Sequence, residues 1–205
     1  MFEQNHLSRR LYRSSRVKTA ISYSSSKHPF PQFCESVLEK ERCLERDFNP
    51  KIETYQTQPF TILVNGIRYT PDAITREVDG TDYVEEVKPL VELEKPKVIK
   101  RLREIERGLR EKGIRFRILT DELTSNRTYI ANLWLLKRHQ SYPHNLEWLS
   151  EAKKEFGTAS TIGQVTRWLC QKGVNVGALY HAIGLQEVSC DLKAILKPQT
   201  EVLFA

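Results

Sequence analysis

Asp72, Glu86 and Lys88 are the residues of this chain whose types and spacing suggest chemistry. Residues 67–78 and 81–87 are rich in strand formers, and Asp79 and Gly80 supply a turn between them, so the segment reads as a β-hairpin. Glu86 and Lys88 are two positions apart and leave the same face of a strand. Two carboxylates and an ammonium so placed suit metal-dependent phosphodiester cleavage. Asp72 and Glu86 offer hard oxygens to Mg²⁺, with Mn²⁺ as a substitute, and Lys88 can hold or deprotonate the attacking water. Glu-x-Lys alone is an ordinary cross-face ion pair. Here it has company: Pro71 and Asp72 lie upstream, a carboxylate-rich helix precedes the hairpin, and a basic helix follows it.

Sharing a cation requires Asp72 and Glu86 to leave the same face of the sheet, most simply as opposed residues. A two-residue turn at Asp79 and Gly80 sets Asp72 opposite Val87, one residue out of step and on the wrong face. The simplest remedy is a three-residue loop of Val78, Asp79 and Gly80, with Gly80 left-handed, which sets Asp72 opposite Glu86; a five-residue loop over Glu77 to Thr81, or a bulge in either strand, would do the same.

Other elements must position these groups. Residues 31–48 read as a helix with Cys34, Val37, Leu38, Leu44 and Phe48 on one side. Glu35 and Glu39 project from another face with Arg42 and Arg46, and Glu41 interrupts the apolar stripe. Any of the three glutamates is available as a third metal ligand. Residues 51–57 alternate as a strand, a second runs from Pro59 to Val64, and Asn65 with Gly66 marks a tight hairpin. Gln58 and Pro59 bring a polar amide to the sheet end. Residues 89–96 read as a linker, and Pro96 suits the first turn of a helix over 97–112 that Gly113 stops. Between Glu92 and Arg117 there are ten basic and five acidic residues, a helix face suited to phosphates. Residues 115–120 alternate as a closing strand, completing an α/β unit of order αβββαβ.

Residues 1–30, with Arg9, Arg10, Arg13, Arg16, Lys18 and Lys27 among serines, read as a basic arm. Residues 31–122 form the next domain, and the character changes over 123–205. There, 128–137, 144–156, 161–171 and 176–183 read as helices and 200–204 as a strand. A helix-turn-helix followed by a strand predicts a winged-helix-like domain. Its second short helix carries only His181 as a chargeable cation, which favours docking to protein over reading bases.

Composition excludes several classes. Hydrophobic residues make up 40% of the 205, the range of a globular chain. A net charge of +6 and a pI near 9.1 favour an anionic partner, of which nucleic acid is the usual one. No apolar run approaches a membrane span and no signal peptide opens the chain, so a cytoplasmic, DNA-associated protein is expected. Cys34, Cys43, Cys170 and Cys190 lack paired metal-ligand spacing and the five histidines do not cluster with them, so zinc is not expected.

Pro71 and Asp72 with Glu86, Val87 and Lys88 resemble the PD-(D/E)-x-K nuclease superfamily, which implies a restriction-endonuclease-like core. The ordered series Phe33 to Glu39, Asp47 to Pro50, Gln58 and Pro59, Tyr69 to Asp72 and Glu86 to Pro89 resembles, more narrowly, the TnsA-type transposon-end endonucleases. That resemblance implies a Mg²⁺-dependent endonuclease cutting the 5′-end strands during cut-and-paste transposition. Its implied partners are transposon DNA, a TnsB-type transposase and a TnsC-type ATPase regulator. By motif position it implies Glu39 as the helix glutamate beside Asp72 and Lys88. Some members carry Gln at the position of Glu86. The metal ligands expected are thus Glu39, Asp72, Glu86 and the Val87 carbonyl. A stand-alone restriction or repair nuclease, or a non-catalytic assembly subunit, would share the fold.

Overall fold

Two three-residue strands, β1 (Ile21–Tyr23) and β2 (Gln32–Cys34), pair antiparallel at the start of a computed structural model that describes residues 20–140 and 145–204. The basic arm expected over 1–30 lies outside the described residues up to residue 19. Residues 20–30, by contrast, belong to the fold. Tyr23 is buried and donates its hydroxyl to Asp47 at 2.8 Å, and Lys27 Nζ donates to the Asn49 and Ile52 carbonyls at 2.5 and 2.6 Å. Strands of three residues are too short for alternation to announce them.

Helix α1 (Val37–Phe48) begins six residues later than the expected helix over 31–48, because Gln32 to Cys34 form β2 and Glu35 and Ser36 the bend after it. Its start is a Ser-x-x-Glu signal: the Ser36 hydroxyl accepts the Glu39 N–H at 3.1 Å. Cys43, Leu44 and Phe48 are buried, whereas Val37, assigned by periodicity to the apolar side, is 60% exposed at the first turn. Arg42 and Arg46, expected on a face apart from the apolar stripe, are buried too.

The main sheet follows. Strand β3 (Ile52–Thr57) is succeeded by the hairpin β4 (Ile62–Val64) and β5 (Ile67–Tyr69), closed by Asn65 and Gly66, both with positive φ. The single strand expected over 67–78 is broken. β5 pairs only with β4, and after Thr70, Pro71 and Asp72 the chain enters β6 (Ala73–Glu77) in a different sheet. Pro71 has no N–H for a ladder, which makes the break inexpensive. β7 (Asp82–Val87) pairs antiparallel with β6, α2 (Pro96–Arg110) crosses over, and β8 (Arg115–Leu119) returns parallel to β7. The resulting strand order is β3-β6-β7-β8, a mixed sheet of the α/β nuclease kind. The expected linker over 89–96 contains a 3₁₀ turn, Leu90–Glu94. Pro96 opens α2, and Gly113, at φ +71°, lies just past its end.

The two helices cover opposite faces of β7. Val84 packs with Val64, Tyr69, Ile105 and Leu109 in one core, so α2 lies on the face shared by Val84 and Glu86. Each fully buried aliphatic side chain there is worth about 1.5–3 kcal/mol. α1 lies on the Glu85 face, tied to it by Arg46. Gly108 sets how closely α2 approaches: a Cβ there would stand 2.4 Å from Val64 Cγ1.

The chain divides into two compact units between Ser125 and Asn126. The second contains α3 (Arg127–Gln140), α4 (Trp148–Phe156), β9 (Ala159–Thr161), α5 (Ile162–Gln171), α6 (Gly177–Gly184), β10 (Val188–Ser189) and β11 (Glu201–Phe204). Its strands run antiparallel in the order β10-β11-β9. A capping box of Thr161 and Gln164 starts α5, and Ile130, Leu133, Leu136, Val165, Leu169 and Leu179 fill the interior. The helix expected over 144–156 starts at Trp148, and residue 144 lies outside the described residues. No helix among the described residues is long and apolar enough to cross a membrane.

Candidate active site

The hairpin register places Asp72 and Glu86 together. Ala73 opposes Glu85, Ile74 opposes Val84, Thr75 opposes Tyr83 and Arg76 opposes Asp82. The connection closes through Glu77 N–H to the Thr81 carbonyl at 2.8 Å, leaving Val78, Asp79 and Gly80 as a three-residue loop with Gly80 at φ +82°. Of the connections that give the two carboxylates a shared face, this is the three-residue one. One step beyond the last ladder pair, the Asp72 N–H donates to the Glu85 carbonyl at 3.1 Å.

At this end of the sheet the side chains converge on Lys88. Its ammonium is 2.6 Å from Glu86 Oε1 and 3.7 Å from Asp72 Oδ2, and it donates to the Val87 carbonyl at 3.1 Å. Asp72 Oδ2 also accepts the Val87 N–H at 2.8 Å. Burial pushes the Asp72 carboxyl up to about 6, and the negative charge of Glu86 adds to this; Lys88 and the Val87 N–H pull the other way. Burial alone would lower the Lys88 pKa, but the fields of Glu86 and then Asp72 outweigh it and hold the ammonium above its ordinary value. The site therefore sets two carboxylates against one ammonium.

Gln58 borders this end. It is buried, holds φ at +47°, a conformation that costs a non-glycine residue about 1–2 kcal/mol, and donates its backbone N–H to the Asp72 carbonyl at 3.0 Å.

Glu39 is near but differently engaged. Its Oε2 accepts the Glu35 N–H at 2.8 Å and its Oε1 accepts the Ser36 hydroxyl at 2.9 Å, so both oxygens serve the start of α1. Burial raises its pKa, and Asp72 is close enough to add to the shift. The three-carboxylate group expected of Glu39, Asp72 and Glu86 is not assembled. Among the described residues, no three His, Cys, Asp or Glu side chains converge as a metal-binding group. The reason is local. A carboxylate at the third helical position finds two donors on its own turn, whereas reaching Asp72 means leaving both.

Two features escaped the sequence reading. Tyr69, buried to 2% exposure, donates its hydroxyl to Glu86 Oε2 at 3.0 Å. On the opposite face, fully buried Glu85 is clamped between two guanidinium groups. Arg46 reaches its Oε2 at 2.5 and 2.8 Å, and Arg117 reaches its Oε1 at 2.5 and 2.7 Å. Arg117 extends the ladder to Glu77 at 2.7 Å and lies over the Tyr83 ring at 4.1 Å. A carboxylate at an inward-facing strand position was the available signal for Glu85.

Residues 49–121 match the family model of the TnsA-like endonuclease N-terminal domain. This chain carries a TnsA-like endonuclease domain. The match spans the sheet and α2, and it includes Asp72, Glu86, Val87 and Lys88; Glu39 and the second unit lie outside it. A TnsA-like domain suggests a nuclease role in transposition. No curated protein matches the chain.

Proposed function

We propose that this protein is the Mg²⁺-dependent endonuclease that cuts the 5′-end strands of a transposon, acting with a separate transposase and an ATPase regulator. The observation that carries the reading is the convergence of Asp72, Glu86 and Lys88 within a TnsA-like domain. The donor set fits a hard divalent cation. The Asp72 and Glu86 carboxylates and the Val87 carbonyl are all oxygen donors, and the buried carboxylate pair has a net charge that a cation would offset. Glu39 would join them by exchanging its two hydrogen bonds at the start of α1. Bound Mg²⁺ supplies a water of lowered pKa and compensates charge on the scissile phosphate.

The chain's own groups do the rest. Lys88 orients the nucleophile and faces the developing phosphate charge, and the Val87 N–H keeps the Asp72 carboxylate in place. Along α2, a shallow groove lined by Lys100, Arg103, Arg107 and Arg110 suits the DNA backbone, although Glu94, Glu104 and Glu106 temper its charge. In the second unit, the order helix, helix, strand, helix, helix, strand, strand with the last strand central supports a winged-helix reading. The sparse charge of α6 supports protein docking for that unit.

The test is cleavage of transposon-end duplex by the full chain with its transposase and ATPase in Mg²⁺. Parent protein should release the 5′-end strands, and Asp72→Ala should not while still entering the complex. Cutting by Asp72→Ala at the parent rate would reject the site. If α2 meets phosphates, neutralising Lys100, Arg103 and Arg107 should lower the log–log salt slope of DNA binding by roughly 0.9 for each phosphate no longer neutralised.

A further inference from the structure

Tyr69 stands three residues before Asp72, at the end of β5, and its role is not explained by packing alone. Its ring fills the core beside Val84, Ile105 and Leu109 and meets Phe116 edge-on, with centroids 6.5 Å apart. A ring in that position would be equally well served by phenylalanine. The hydroxyl, however, is buried and must find a partner inside the protein. Its acceptor is Glu86 Oε2, at 3.0 Å.

That hydrogen bond determines how Glu86 presents itself. Oε2 is held by Tyr69 and Oε1 by Lys88, so each oxygen has one partner and the carboxylate plane is held from both ends. Only the Oε1 side faces the ammonium that Asp72 also approaches. Tyr69 is anchored by the α2-facing core, whereas Lys88 sits at the open end of the strand, 29% exposed. The fixed partner of Glu86 is therefore the phenol, and the movable one is the ammonium.

We infer that Tyr69 is a positioning residue of the active site: its hydroxyl holds Glu86 so that a single oxygen, Oε1, is offered to a divalent cation shared with Asp72. The inference rests on the reading of Asp72 and Glu86 as cation ligands. It adds a donor that acts through Glu86 and touches neither cation nor DNA. Glu86 is then a one-oxygen ligand, and loss of the phenol frees it to rotate away from the cation.

The experiment is calorimetric titration of the full-length chain with Mn²⁺ alone, for the parent, Tyr69→Phe, Glu86→Ala and the double variant, with a thermal melt of each. Tyr69→Phe keeps the ring, so its melt should stay near the parent's while its Mn²⁺ affinity falls about 10-fold, the lower end of what losing an outer-shell partner costs. On the Glu86→Ala background the same change should have no further effect on Mn²⁺ binding, because the hydroxyl acts through that carboxylate. Parent affinity in Glu86→Ala would reject the cation reading of the site itself. A weakened Glu86→Ala with an unaffected Tyr69→Phe would leave that reading standing and overturn the role given to Tyr69. An equal loss from Tyr69→Phe with and without Glu86 would also overturn it, because the phenol would then be acting through the fold.

Discussion

Glu85 and Glu86 are adjacent on one strand, and they live in opposite electrostatic worlds. Glu85 points to the α1 side, is wholly buried, and has a guanidinium on each oxygen. Burial works against its charge, but Arg46 and then Arg117 more than compensate, and its pKa is lowered. Glu86 points to the other side and shares one ammonium with Asp72, whose pKa rises to about 6. Around Glu85, cations exceed what one carboxylate needs, and the ladder ends on Glu77. Around Glu86, carboxylates exceed the cation. The difference separates structural charge from chemical charge: the first is internally neutralised, and the second is left wanting a partner.

The sharpest way to break the comparison is to delete on the chemical side. Lys88→Ala should lower end cleavage by about 10²–10³-fold, the usual worth of one preorganised donor facing developing charge, with the melting temperature little changed. A parent-like cleavage rate in a gel assay would remove Lys88 from the reaction. The matching deletion on the structural side is Glu85→Ala, which strands Arg46 in the interior. A buried pair broken from one side costs about 3–5 kcal/mol, to be read as a lower urea midpoint at unchanged slope. A stable but inactive Glu85→Ala would place it with the chemistry instead.

The pH dependence of stability should differ in sign between the two. Asp72 has a folded pKa above its ordinary value of 3.8, so its contribution is fully present below about pH 4 and is lost as pH rises through about 6. Asp72→Asn should therefore stabilise the fold at pH 8 by about 1–3 kcal/mol, a gain that vanishes in acid. Glu85 runs the other way. Its contribution holds above the ordinary carboxylate value of 4.5 and is lost as pH falls through its depressed folded pKa. Urea titrations of the parent and both variants from pH 2 to 8 check the two signs. The smallest effect belongs to the loop that aligns both residues. Gly80→Val forces a β-branched side chain to φ +82° with open space around it, so the cost is backbone strain of about 1–2 kcal/mol, measurable as a lower melting temperature.

How much was legible in the sequence follows from the range of each interaction. Strand alternation and the shared-face requirement make the hairpin loop readable as odd in length, and Gly80 favours three residues over five. Pro96 and Gly113 bracketed α2 through local chemistry. β1, β2, β9 and β10 were not readable, since two or three residues carry no period. The Ser36 and Glu39 capping signal was present within residues 31–48 but was overridden by an apolar stripe extended to Cys34. Tyr69 and the Arg46–Glu85–Arg117 ladder depend on partners brought from 17, 39 and 32 positions away, and no local pattern chooses among the available arginines or acceptors. The break at Pro71 was visible as a proline, yet the strand formers on either side argued for continuity.

The loop of Val78, Asp79 and Gly80 has a consequence for descent. Substitutions there, apart from the glycine, touch nothing that the site needs: Val78 is 66% exposed, and Asp79 bonds only within the turn. Changing the number of residues is another matter. One codon gained or lost would slide β6 against β7 by a single position and turn Asp72 to the arginine side of the sheet. Homologues should therefore drift freely in the letters of this turn while keeping its length, much as a coding frame tolerates substitutions but not frameshifts.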